Sequence, residues 1–211
     1  NFTISAWIRL NSASVTNSDN VIFNKMDASG TRSYYINLNA SGGINLVVRD
    51  SSGTADIVLS NTSVINAKVW QHVVVVFSSP EPATFYVNGV SVGTDVATVN
   101  LASISSVGHI GFGANVNKYF NGNIDDVRVY NRALSASEIR QLYNLGSTKQ
   151  NITLNPVTSG LIGWWSFDGK DMGTTTAYDR SGSGNNGNLT NVATSTFFIR
   201  FTTFLTAMLC I

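Results

Sequence analysis

The acidic side chains and histidines of this chain are few, and their spacing decides which chemistries are open to them. Among 12 acidic residues the only glutamates are Glu81, beside prolines, and Glu138, ahead of a helical run. Carboxyl-driven glycoside hydrolysis needs two such groups flanking one bond, which on a strand means residues two or four apart on one face. Neither glutamate has that partner, and the adjacent Asp125 and Asp126 are predicted to point to opposite faces. His72 sits in a valine-rich run and His109 in a glycine-rich one, with no serine or cysteine motif beside either. Both are expected to be structural rather than basic catalysts. The acid-base inventory therefore predicts a protein that is not an enzyme.

Hard-cation binding remains open. Strict alternation along Ile124–Tyr130 puts Asp125 in line with Val127 and Val129, so a carboxylate is expected at a core-facing position. A buried charge without compensation is costly. It could pair with Arg128 or Arg132, accept backbone amides, or bind a Ca2+ ion, which takes roughly six to eight oxygen ligands.

These residues must be positioned by short strands. Phe2 to Leu10 alternates apolar and polar residues, the period of a half-buried strand. Val21–Phe23, Tyr34–Leu38, Ile44–Val48 and Ile57–Leu59 are further runs, separated by the turn-forming clusters at 27–30, 41–43 and 50–53. Trp70 to Phe77 carries four consecutive valines and is predicted to be covered on both faces. Asn88-Gly89 between apolar runs predicts a two-residue hairpin turn in which both residues take positive φ. His109–Gly113 alternates again and contains no phosphate-binding glycine motif.

One helix is expected, over residues 136–144. Ser135 and Glu138 have the spacing of a capping box, Ile139, Leu142 and Tyr143 repeat at helical spacing, and Gly146 is placed to end it. Many short strands with a single helix predict an all-β fold, two antiparallel sheets packed face to face.

Composition narrows the function classes. The chain has 211 residues, 43% hydrophobic and 12% charged, with a formal net charge of +1. That charged fraction is about half the usual quarter, and with abundant Ser, Thr, Asn and Gly it suits an extracellular β-module. The basic residues are scattered, so neither nucleic acid nor an anionic membrane is an expected partner. The single cysteine, Cys210, excludes an intrachain disulfide and a multi-cysteine zinc site. Asn1 opens on a strand pattern without a basic-then-apolar leader, and the chain is expected to be a piece of something longer.

Four stretches together carry a resemblance: Gly122-x-Ile124-Asp125-Asp126-Val127-Arg128-Val129-Tyr130-Asn131-Arg132-Ala133-Leu134-Ser135, Phe2-Thr3-Ile4-Ser5-Ala6-Trp7-Ile8, Trp70-Gln71-His72-Val73 and Tyr86-Val87-Asn88-Gly89. In order and spacing, over about the first two-thirds of the chain, they resemble the laminin G-like domains of bacterial surface and secreted proteins. The resemblance implies a concanavalin A-like jellyroll. It implies that Asp125 is the side-chain ligand of a structural calcium ion, with Asp168 and carbonyls around Asn186-Gly187 as partners if the carboxy-terminal segment docks in cis. It also implies a carbohydrate-binding or adhesion module of a secreted or cell-surface protein, with a glycan or extracellular partner; the alternative is a ligand-free spacer in a repeat array.

The order of the motifs is unusual for that family. Residues 1–146 form the jellyroll domain without its usual first strand, and 147–159 read as a linker. Residues 160–195, with Gly163-Trp164-Trp165-Ser166-Phe167-Asp168-Gly169, look like the opening of such a domain placed after its close. Two readings stay open: the start of a second repeat, or a permuted first strand that completes the sandwich. A bare sheet edge favours pairing, in cis or by strand exchange with a neighbouring chain. The apolar tail 196–211, interrupted by Arg200, is shorter than the roughly 20 residues a membrane helix needs. It reads as a truncation end or a docking strand. Among the aromatics, Trp7 and Trp70 are expected in or near the core, and Tyr119 as an exposed contact able to stack on a sugar ring.

Overall fold

The alternation of Phe2–Leu10 is realised as the first of sixteen strands among the described residues of the computed structural model. The structure describes residues 1–12, 20–26, 32–52, 54–60, 63–99, 101, 107–113, 118–147, 157–190 and 198–200. The strands are β1 (Phe2–Leu10), β2 (Asn20–Met26), β3 (Arg32–Leu38), β4 (Ile44–Arg49), β5 (Ala55–Leu59), β6 (Gln71–Ser78), β7 (Glu81–Val87) and β8 (Val90–Asp95). They continue as β9 (Gly108–Ile110), β10 (Phe112–Gly113), β11 (Lys118–Tyr119) and β12 (Gly122–Tyr130). Helix α1 (Ala136–Ser147) follows, then β13 (Leu161–Trp165), β14 (Thr176–Ala177), β15 (Gly187–Thr190) and β16 (Phe198–Arg200).

Among the described residues two large antiparallel sheets result, together with a two-stranded one, β10-β11. The six-stranded sheet runs β13-β12-β1-β6-β7-β8, and the eight-stranded sheet runs β14-β15-β16-β9-β2-β3-β4-β5. Their inner faces meet in one core that includes Phe2, Ile4, Ile8, Phe23, Ile36, Leu46, Val75, Phe85, Val127, Val129 and Trp165. This is the expected all-β sandwich with one short helix, a concanavalin A-like jellyroll. β6 is covered on both faces: Val73, Val75 and Phe77 enter the main core, while Val74 and Val76 pack with Ile139 and Leu142 of α1. The Asn88-Gly89 turn has the expected positive φ at both residues, 52° and 76°.

The helix begins as its sequence predicts. The Ser135 amide donates to Glu138 Oε2 at 2.9 Å, and the Glu138 amide donates to Ser135 Oγ at 3.3 Å. Its end differs. The helix continues through Gly146 to Ser147, and Gly146 serves as a contact point rather than a terminator. A Cβ there would collide with the indole of Trp7, so the missing side chain lets the last helical turn lie against that ring.

Two sequence expectations about faces are corrected. The register pairs Ser5 with Arg128 and Trp7 with Asp125, two steps along β1 against three along β12, so β12 bulges. Asp126 sits in the bulge at φ +45°. The extra residue breaks the alternation: Val127 and Val129 reach the core, Ile124 stands opposite Ile8, and Asp125 stands opposite Trp7. Asp125 is therefore not in line with the core valines. Trp70, expected in or near the core, is 42% exposed, because β6 starts one residue later and leaves it in the preceding turn. Most of the apolar tail lies outside the described residues; within it, Phe198–Arg200 pairs with β15 and β9.

Candidate functional site

Three constellations of polar side chains lie outside the main core, and each follows from the strand pairing. The first is the junction of β12 and β13. These strands pair antiparallel, Val127 with Trp165 and Arg128 with Trp164. Alternation sends Trp165 inward, where it is fully buried, and Trp164 outward. There Asp126 Oδ1 accepts the Trp164 Nε1–H at 2.5 Å and both Asp126 oxygens accept the Arg128 guanidinium. Arg128 and Arg180 both lie over the Trp164 ring, 4.5 and 4.7 Å from its centroid. The outer edge of β13 is closed by a loop: Asp179 Oδ1 accepts the Trp164 amide, Trp164 O accepts the Arg180 amide, and Ile162 O accepts Asn185 Nδ2–H.

Asp125 and Asp168 belong to the same junction. The Asp125 carboxylate accepts one amide, from Asp126, at 2.8 Å. Burial, together with the negative charge of Asp126 and Asp168, pushes its pKa up to about 6. Of the compensations weighed from sequence, neither arginine is used: Arg128 pairs with Asp126, and Arg132 with Glu138. The structure thus brings Asp125 and Asp168 within electrostatic reach of each other. Asn186 Oδ1 accepts the Asp179 amide, and Gly187 pairs with Ala177 in the β14–β15 ladder. Among the described residues no three His, Cys, Asp or Glu side chains gather as a metal cage. A half-buried carboxylate facing other carboxylates, with one amide for a partner, has the donor chemistry that a hard cation requires; the remaining oxygens would have to come from main-chain carbonyls and water.

The second constellation lies under α1. His72 Nε2 and Ser5 Oγ are hydrogen-bonded at 2.7 Å. Sequence reasoning saw no serine near this histidine, since the two are brought together only by the β1–β6 pairing. Burial, reinforced by the Arg128 charge, holds the imidazole neutral with its pKa down at about 3. The rings of Trp7 and Tyr143 lie 5.3 and 6.2 Å from it. The pair is 1–2% exposed, so it is a buried structural contact with no approach for a substrate.

The third is a row across the outer face of the eight-stranded sheet. The register aligns His109, Asn24, Tyr35, Val47 and Ile57 on β9, β2, β3, β4 and β5. Their neighbours Ile110, Phe23, Ile36, Leu46 and Val58 fill the core, so alternation places the row on the opposite face. Asn24, His109 and Val47 in this row are buried, at 1%, 4% and 3% exposure, whereas Ile57 at the rim is 55% exposed. Both amide atoms of Asn24 are buried without a hydrogen-bond partner among the described residues, a state that costs about 1–3 kcal/mol unless something fills it. The aromatic pair of Phe112 and Tyr119 continues from His109: Phe112 meets His109 edge-on at 5.6 Å and stacks on Tyr119 at 5.2 Å. Tyr119 is 40% exposed, as expected of a contact residue. Sequence reasoning missed Asn24, whose signal was one amide side chain following the apolar run Val21–Phe23.

The chain belongs to the laminin G-like family described as the concanavalin A-like lectin/glucanases superfamily, whose model matches residues 1–140. Solved structures share the fold at low identity. A protein of Bacteroides ovatus provisionally described as carbohydrate-binding is 18% identical, with a TM-score of 0.63 over 88% of this chain and 50% of its own. Domain 4 of an extracellular arabinanase of Geobacillus stearothermophilus, solved with arabinotriose, is 20% identical, with a TM-score of 0.53 over 67% of this chain and 66% of its own. The CBM40 of a Ruminococcus gnavus sialidase is 15% identical, with a TM-score of 0.53 over 67% of this chain and 82% of its own. This chain spans half the length of the Bacteroides protein.

Proposed function

We propose that this chain is a non-catalytic carbohydrate-binding module of a larger secreted or cell-surface protein, taking a glycan on the outer face of its eight-stranded sheet. The observation that carries this reading is the aromatic pair of Phe112 and Tyr119 beside the row on this face, with Tyr119 40% exposed. A sugar presents vicinal hydroxyls that give and receive hydrogen bonds, as an amide does, and an apolar ring face that stacks on aromatics. Phe112 and Tyr119 supply such a surface beside the row. The neighbouring folds described as carbohydrate-binding or solved with an oligosaccharide support the class of ligand.

The acid-base inventory agrees with a binding role. Glu81 is exposed at the start of β7, and Glu138 is committed to Arg132 and the helix cap. Asp125 with Asp168 is proposed as the seat of a structural Ca2+, which would neutralise the junction of β12 and β13. The low charge and the Ser-, Thr- and Asn-rich composition support an extracellular setting.

Titration calorimetry against a glycan panel that includes arabino-oligosaccharides tests the reading. Weak binding that is reduced in Tyr119→Ala is the expected result. A flat panel with a folded protein would instead make it a spacer domain, and release of reducing ends would make it an enzyme. For the ion, calcium should raise the melting temperature relative to chelator by linkage, and Asp125→Asn should abolish that rise.

A further inference from the structure

We propose that residues 157–190 are an exchangeable docking element, and that a second copy of this chain is the partner that supplies it. The body formed by residues 1–147 recognises this element along one rail. The β12 edge provides the ladder to β13, the body's core receives the Trp165 ring, and Asp126 with Arg128 clasps Trp164 from outside. Tyr130 Oη–H donates to Val157 O at 3.0 Å, Arg132 Nε–H donates to Ser159 O at 2.8 Å, and the Asn131 amide donates to Gly160 O at 2.9 Å. On the other side of the sandwich the element contributes Ala177, 1% exposed, to the same core.

The body is incomplete without the element. β12 would become a bare edge, with unpaired amides and carbonyls beside an empty space the size of a tryptophan ring. The element, by contrast, arrives with its own outer edge finished, since Asp179, Arg180 and Asn185 already occupy the polar groups of Ile162 and Trp164. In the other sheet its β15 pairs with β16 (Phe198–Arg200), which in turn pairs with β9 of the body.

Nothing in these contacts reads the connection between body and element. That connection is residues 148–156, whose extended reach is at most about 30 Å. The same element from another copy makes the same ladder, anchor and clasp. What favours the element of the same chain is only local concentration, which for a short link is on the order of millimolar. Exchange should therefore be negligible in dilute solution and should compete where copies are crowded or where the element has been released by partial unfolding. In an exchanged pair, Asp125 of one copy faces Asp168 of the other, so each junction is built from two chains.

Complementation between two damaged full-length chains tests this. Trp165→Ala removes the anchor of the element, and Val75→Asp places a charge in the body's core, where Val75 is fully buried. Each chain alone should lose the native melting transition. Mixed in equal amounts and refolded together, they should recover up to half the native amplitude and elute as a heterodimer. A mixture that melts as the sum of its parts would overturn the proposal. A second measurement covers the case in which Trp165→Ala still folds: light and isotopically heavy wild-type chains are mixed at high concentration, partly unfolded and returned to native conditions. Mixed-mass dimers in native mass spectrometry are the expected product, and monomers alone would overturn the proposal.

Discussion

The Asp126 carboxylate accepts the indole N–H of Trp164 at 2.5 Å while holding the guanidinium of Arg128 at 3.0 Å. One side chain thus ties the last strand before the helix to the first strand after it. It does so from a bulge, because Asp126 has φ +45° and lies outside the regular alternation. The bulge turns a carboxylate that regular pleating would have aimed at solvent into the centre of a clasp.

Asp126→Ala should lower the unfolding free energy by about 2–4 kcal/mol, since it strands a mostly buried arginine and a tryptophan N–H. Asp126→Asn should cost less, because asparagine tolerates positive φ and its carbonyl can still accept the indole. Urea melts of the two variants give the order, and an alanine variant as stable as the asparagine one would dismiss the clasp.

Asp179 accepts the amides of Trp164, Ser181 and Asn185 and the hydroxyl of Ser181, all within 2.9 Å. Replacing it by alanine should cost about 2–4 kcal/mol through the lost charge-assisted bonds. Hydrogen exchange should locate the damage: those three amides lose protection, while the β2–β5 ladder keeps its own.

Gly146→Ala decides between two opposed effects. In an exposed helix interior the change gains up to about 1 kcal/mol from propensity. Here the new methyl would meet the Trp7 indole, which is held between His72 and Tyr143. Net destabilisation is the expected outcome, relieved when Trp7→Phe is added. A stabilised single variant would show that the ring gives way.

The pH dependence of stability has two opposed contributions. His72 has its pKa lowered to about 3 by burial, so the folded state binds fewer protons than the unfolded one below about pH 6.5. Its contribution is present above that value and is lost as pH falls toward 3, at up to about 1.4 kcal/mol per pH unit. Asp125 has its pKa raised by burial to about 6, so its contribution has the opposite sign and stability is regained as pH falls from 6 to its ordinary value near 3.8. Glu138, held down at about 2 by the hydrogen bonds from Arg132, then withdraws stability as pH falls below 4.5. The expected profile is nearly flat from pH 6 to 4 and falls steeply below. Asp125→Asn should unmask the decline from about 6.5, and thermal melts across that range would show it. A profile unchanged by the substitution would deny the Asp125 contribution.

Phe2–Leu10, the valine run, the Asn88-Gly89 turn and the Ser135–Glu138 cap were legible because each depends on local periodicity or on a backbone conformation only a few residues adopt. They determined an all-β sandwich with one short helix, and the resemblance carried by the Asp125–Tyr130 stretch named its family. The face of Asp125 was not legible, since a single extra residue in β12 reverses the pleat without leaving a mark in the residue pattern. Nor was the role of Gly146, which depends on a tryptophan more than a hundred residues away. The pairing of β13 with β12, the meeting of Ser5 with His72, and the row from His109 to Ile57 are products of register between distant strands. Local sequence sets which residues can form strands; only tertiary pairing, through the hydrogen-bond needs of each edge and the burial of Trp165, decided which strands became neighbours.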